Sequence, residues 1–142
     1  MPVLGYVPRD LPNASPVREP IDWQRRTDPR EFCASWTVPA DEAIFRGHYP
    51  GFLIFPGVCL VESVHRVAVI HAAEHGISML LCGIEHARFL HPVFPGDRIV
   101  VAGRTTTAED DCGYTATISS QSGDGKPEPA ARIRLRYRRC GR

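Results

Sequence analysis

From position 58 to position 75 the chain runs for eighteen residues without a glycine or a proline, and valine is the commonest residue in the run. Local composition is therefore strand-like, but globular strands are usually three to ten residues long, so length decides for a helix. Apolar side chains fall on nearly every side of this helix, which predicts burial on most faces. Glu62, His65 and Arg66 are the anomaly in it. A carboxylate one turn into a buried helix is costly unless something pairs with it or uses it. Arg66, four residues on, shares its face and is one candidate partner. Ahead of the helix stand a Gly47-His48-Tyr49-Pro50-Gly51 turn, four apolar residues and a second turn at Pro56-Gly57.

The remaining segments are shorter. Residues 1–30 hold six prolines interleaved with charge and read as an extended arm without regular structure across most of its length. Residues 31–38 alternate (Phe32, Ala34, Trp36, Val38) and predict a strand with one buried face. Gly76 supplies a stop for the helix. Strands are then expected at 79–89, 98–107, 114–120 and 130–138, separated by His91-Pro92, Pro95-Gly96-Asp97 and two polar loops. The last strand alternates strictly, with Ile133, Leu135 and Tyr137 on one face and Arg132, Arg134, Arg136 and Arg138 on the other. One long apolar helix with about five antiparallel strands is an α+β pattern, and a sheet wrapped round a buried helix suits it. Residues 31–142 are read as a single domain.

Composition removes several function classes. The formal net charge is +1, so no overall electrostatic attraction to nucleic acid or an anionic membrane is expected. Of seventeen basic residues only Lys126 is a lysine. Five cysteines are scattered with no close pair, which argues against a disulfide framework and a zinc site and points to a reducing cytoplasm. The first ten residues lack the basic start and apolar segment of a signal peptide. The longest apolar run is broken by Pro56-Gly57 and by Glu62, so no membrane span is expected. His71 and His75, four apart on the helix, could clip a metal, but no acidic or thiol partner lies in sequence reach. No cofactor and no metal are expected.

The segment GHYPGFLIFPGVCLVES resembles the motif of the hot-dog-fold β-hydroxyacyl-acyl-carrier-protein dehydratases of the FabZ type. That motif has a Gly-His-x-Pro-Gly turn, a Pro-Gly-Val turn, and a helix bearing a Glu fourteen residues after the His; His48 and Glu62 keep the separation. A second block, GIEHARFLHPVFPGD at residues 83–97, resembles the family's second signature. Together these cover residues 38–104 well. The resemblance implies a hot-dog fold, an antiparallel sheet wrapped around one long helix. It also implies dehydration of a 3-hydroxyacyl thioester tethered to an acyl carrier protein. Such a reaction needs a base for the α-proton, an acid for the departing hydroxyl, and stabilisation of charge on the thioester oxygen. His48, near its ordinary pKa of about 6.5, is the expected base. Glu62, desolvated on an apolar helix, is the expected acid. Gly57, where the chain enters the helix, offers bare backbone and helix-terminal N–H groups to the oxygen. Tyr49, Pro56, Val58, Arg66 and Phe89 are the expected substrate-binding residues. The expected partners are the carrier protein, with Arg88, Arg98 and the arginines of the last strand as candidate docking residues, and a second hot-dog subunit. That subunit would make a homodimer or heterodimer, or a trimer of dimers.

One run departs from the family pattern. The Glu is usually followed by Ala, a bulky apolar residue, Ala and Gln; here it is followed by Ser63-Val64-His65-Arg66. A cation one turn from Glu62 favours the carboxylate and opposes its use as an acid. The departure tilts the reading toward a dehydratase dedicated to polyketide or other secondary-metabolite synthesis. It leaves open a catalytically altered or silent subunit of a heterodimer, an acyl thioesterase, and a binding module unrelated to acyl groups.

Overall fold

The computed structural model describes residues 21–39, 54–108 and 110–140 of the 142. Its elements are β1 (Asp22–Gln24), β2 (Glu31–Thr37), α1 (Gly57–Glu74), β3 (Met79–Phe89), β4 (Arg98–Ala108), β5 (Asp111–Gln121) and β6 (Glu128–Arg139). The strands form one antiparallel sheet in the order β1-β2-β4-β5-β6-β3, with α1 packed against it. β4 and β5 pair as a hairpin along their whole length, from Arg98↔Gln121 to Ala108↔Asp111. Among the described residues β3, although it follows the helix, pairs with β6 alone and lies at the margin of the sheet.

The core lies between the helix and the inner face of the sheet. Val64, Val67, Ala68 and Ala72 of α1 meet Ile99, Val101, Tyr114, Ile118, Ile133, Leu135 and Tyr137, all within a few per cent of complete burial. On β6 the expected alternation is realised: Ile133, Leu135 and Tyr137 point in, while Arg132, Arg134, Arg136 and Arg138 stand exposed on the outer face. Glu85 of β3 bridges two of these arginines, at 3.0 Å from Arg134 Nε and 3.4 Å from Arg136 Nε. Arg88 lies directly across from Arg132.

Two features differ from the expectations. Asp22–Gln24, within the proline-rich stretch, pairs with β2 through Asp22↔Ser35 to Gln24↔Cys33. β2 itself is buried on both faces, since Cys33 and Ser35 are as enclosed as Phe32 and Trp36. Ser35 is covered by Arg98, whose guanidinium donates to the serine hydroxyl at 2.6 Å and reaches Asp22 at 3.6 Å. Arg98 is thus tied into the sheet.

The helix starts without a side-chain cap. Pro56 is extended, and its carbonyl accepts from Cys59 N–H at 2.9 Å and Leu60 N–H at 3.3 Å. It ends as expected at Gly76, which takes φ +66°, a conformation open to glycine at no steric cost. The sheet covers one side of the helix: Cys59, Leu60, Ser63, Val64, Val67, Ala68, His71 and Ala72 are buried. The other side is open in the single chain, where Val58 is 69% and Val69 38% exposed. Among the described residues, no helix is long and apolar enough to cross a membrane.

Candidate active site

The open side of α1 carries the polar residues singled out from the sequence. Glu62, His65 and Arg66 are spaced to share one helical face, and all three are partly exposed. The side chains of Glu62 and Arg66 are each 37% exposed, and Arg66 Nε lies 4.0 Å from Glu62 Oε1. That separation and exposure make the pair a weak one, worth about 0–1 kcal/mol. Among the described residues, those around Glu62 on the helix do not enclose its side chain. Arg66 is engaged beyond this pair as well.

Gly57 opens the helix as expected, and none of the described residues accepts a hydrogen bond from its N–H or from that of Val58. These groups project from the helix end, where the dipole favours negative charge. The close approach that a bare glycine permits is taken up by Phe89. A β-carbon on Gly57 would stand 2.8 Å from Phe89 Cζ and 3.0 Å from both Cε atoms. The last residue of β3 therefore lies over the first residue of α1. Its ring is about half exposed, as is fitting for a wall of a site. Pro56 is buried beside it, and Val58 is the most exposed of the large hydrophobic side chains described. Glu62 is five residues along, about 7.5 Å down the helix axis from Gly57. The expected base His48 and its neighbour Tyr49 lie outside the described residues.

One member of the cluster was not paired from the sequence. His65 Nδ1 is 2.8 Å from the hydroxyl of Tyr137, and the two rings are nearly parallel at 8° with centroids 5.8 Å apart. Tyr137 is completely buried on β6. Burial, with Tyr114 and Glu62 adding to it, pushes its phenol well above the ordinary value, so it stays protonated. Burial holds the His65 imidazole below its usual value; Glu62 opposes that shift and Arg66 adds to it. The available signal was the inward tyrosine of β6, whose hydroxyl needs a partner when buried.

Further along the helix, His71 is buried and uses both ring nitrogens. Nε2–H donates to the carbonyl of Pro29 at 2.7 Å, which leaves Nδ1 to accept from Tyr114 O–H at 2.8 Å. Burial lowers its pKa, and burial raises that of Tyr114 to about 12. His75 lies against it, ring centroids 4.4 Å apart, and donates from Nδ1 to the His71 carbonyl. With both His71 nitrogens so engaged, the pair is a tie between α1 and the loop ahead of β2. Among the described residues no group of three or more metal-binding side chains occurs. A cavity of about 370 Å³ adjoins these histidines, lined also by Trp23, Arg26 and Glu74. It sits some 20 Å along the helix from Gly57 and is separate from the Glu62 cluster.

A family model described as ApeI-like dehydratase matches residues 24–126. The chain is 31% identical over 124 residues to a 3-hydroxyacyl-[acyl-carrier-protein] dehydratase FabZ of Thermus thermophilus, covering 82% of this chain and 87% of the relative. Another FabZ, from Polynucleobacter necessarius, is 31% identical over 127 residues, covering 85% and 83%. Among solved structures the PaaI protein of the Escherichia coli phenylacetic acid degradation operon superposes with a TM-score of 0.66 at 19% identity, covering 85% of this chain and 80% of that one. A hypothetical thioesterase of Streptococcus pneumoniae, solved with coenzyme A, gives 0.69 at 10% identity, covering 86% and 87%. At such identities these two structures speak for the shared fold alone.

Proposed function

The chain belongs to the ApeI-like dehydratase family, a hot-dog-fold family, and on that footing we propose that it removes water from a (3R)-hydroxyacyl thioester carried on an acyl carrier protein, leaving the trans-2-enoyl thioester. The observation that carries this reading is the juxtaposition at the start of α1. The N–H groups of Gly57 and Val58, from which no described residue accepts, offer a place for a thioester oxygen, and a carboxyl stands about 7.5 Å further along at Glu62. In this reading His48 takes the α-proton, and the electron pair of that C–H bond becomes the C2–C3 double bond. Glu62 gives its proton to the hydroxyl as the C3–O bond breaks and water leaves. In this reading bound substrate and a partner subunit shield the Glu62 carboxyl from water.

The reading includes a second protomer. Among the described residues β3 has an unpaired edge eleven residues long, with Leu80, Ile84 and Phe89 at 44–55% exposure, beside the open apolar side of α1. Edges of that length and composition are covered in soluble proteins. Joining two copies there would enclose the Glu62 face. The Ser63-Val64-His65-Arg66 run, unlike the usual family sequence, supports a role in a dedicated secondary-metabolite pathway of polyketide type. Five free thiols suit a cytoplasmic setting.

The test is conversion of a 3-hydroxyacyl-carrier protein by the purified protein, followed by intact-protein mass. Loss of one water from the carrier species supports the reading. Release of the free carrier thiol would mean a thioesterase, and no change would mean a silent subunit.

A further inference from the structure

Beside Glu62 the protein has built a contact that the proton transfers above do not use. Tyr137 O–H and His65 Nδ1 are 2.8 Å apart, and the direction of this bond can be worked out. If Nδ1 carried the proton and donated, the tyrosine hydrogen would need a second acceptor, and none of the described residues provides one. Tyr137 is fully buried, where an orphaned hydroxyl hydrogen costs about 1–3 kcal/mol. The tyrosine therefore donates, Nδ1 accepts, and the single proton of the neutral imidazole sits on Nε2. Protonating Nδ1 as well would reverse the bond and orphan the same hydrogen, so the pair favours a neutral ring. Burial of the imidazole acts in the same direction.

His65 thus presents one fixed N–H. Nε2 has no hydrogen-bond partner among the described residues, and the residue is partly exposed on the face it shares with Glu62. Residues three apart on a helix are neighbours, with β-carbons about 5–6 Å apart. Glu62 and His65 thus start from neighbouring points of one face, which allows a single oxygen to meet both side chains.

Resting on the dehydratase reading, we propose that His65 Nε2–H donates a hydrogen bond to the departing 3-hydroxyl oxygen, and that Tyr137 is the positioning residue that makes this nitrogen a donor. One lone pair of the hydroxyl oxygen takes the Glu62 proton while the other accepts from His65. The C3–O bond breaks toward that oxygen, water leaves, and the α-proton goes to the base. His65 keeps its proton throughout. Its contribution grows as negative charge gathers on the oxygen, which places it in the transition state more than in the bound substrate.

The experiment uses the full-length protein as wild type, His65→Ala, His65→Gln and Tyr137→Phe, with a 3-hydroxyacyl pantetheine thioester as probe. Water loss and exchange of the α-hydrogen into deuterated solvent are measured separately. His65→Ala should slow water loss roughly ten-fold, the worth of one hydrogen bond, and leave exchange near wild type. His65→Gln, which returns an N–H at that reach, should recover most of the loss. Tyr137→Phe should lose less, and its His65 ring should titrate higher than in the wild type, because the bond that favours the neutral ring is gone while the burial remains. Nitrogen-15 spectra should find the His65 proton on Nε2 in the wild type and shared between both nitrogens in Tyr137→Phe. Unchanged water loss in His65→Ala, equal loss of both reactions, or a proton on Nδ1 in the wild type overturns the proposal. A wild-type protein inert toward every 3-hydroxyacyl thioester sinks the dehydratase reading and the hydroxyl contact with it. The nitrogen spectra still test the Tyr137–His65 bond by itself.

Discussion

Gly57 and Phe89 touch: the ring at the end of β3 occupies the space where any other residue at the start of α1 would carry its β-carbon. The contact joins the two elements that flank the proposed oxygen site, and only a glycine permits it without displacement. The atoms met by a new β-carbon are the far end of the phenyl ring, so the ring and not the backbone would move.

Gly57→Ala should therefore push a half-exposed ring aside at a small net cost, about 0–1 kcal/mol once the helix preference for alanine is counted. In a Phe89→Ala background the same substitution should cost less. A double-mutant cycle in urea checks this, and additive effects of the two changes would contradict the contact.

Arg66→Gln restores the residue usual in the family. With Arg66 and Glu62 at 4.0 Å and both more than one-third exposed, their mutual effect is small. Turnover should accordingly stay within about two-fold of the wild type, while substrate affinity or subunit association weakens. Turnover that rises several-fold would show that the arginine restrains the acid.

His71 predicts how stability depends on pH. Burial lowers its pKa in the folded protein, whereas in the unfolded chain it titrates near about 6.5. As pH falls, the unfolded chain takes up the proton first. Its contribution is therefore complete above about pH 6.5 and is lost as pH drops below that value toward the folded pKa. His65, shifted in the same direction, adds to the loss. Urea midpoints should fall between pH 7.5 and pH 5.5, and His71→Gln should flatten that fall even though it lowers the midpoint at pH 7.5.

Ile84 is 55% exposed on β3, so a charge there should leave the fold of the single chain intact. Ile84→Glu should convert a dimer into a monomer by sedimentation, with an unchanged circular dichroism spectrum. A wild-type protein that sediments as a monomer at micromolar concentration would dismiss the second protomer from the reading.

Much of the fold could be read from the residues alone. The bounds of β3 coincide with those expected, α1 is displaced by one residue, and the arginine alternation of β6 placed Tyr137 inside. β1 was hidden because it is three residues long and lies between Pro20 and Pro29, where pairing with β2 overrides a turn-rich composition. The open side of α1 was misjudged for a different reason. Val58 and Val69 are apolar, and a sequence pattern cannot tell a side chain that meets its own sheet from one left for another surface. Glu62 and Gly57 were singled out through spacing that a motif preserves. The His65–Tyr137 pair was not, since its partners are seventy-two residues apart and only the register of β6 brings them together. His48 and Tyr49 fall outside the described residues.

The arginines along the outside of β6 limit how copies of this molecule can stack. Arg132 and Arg88 face the same way on adjacent strands, and Glu85 neutralises only part of the row beside them. Guanidinium groups never lose their charge in the physiological range. Laying two such faces together would confront like with like across a surface that water no longer screens, at any pH where the protein is folded. The molecule thus has a back on which two copies would repel each other.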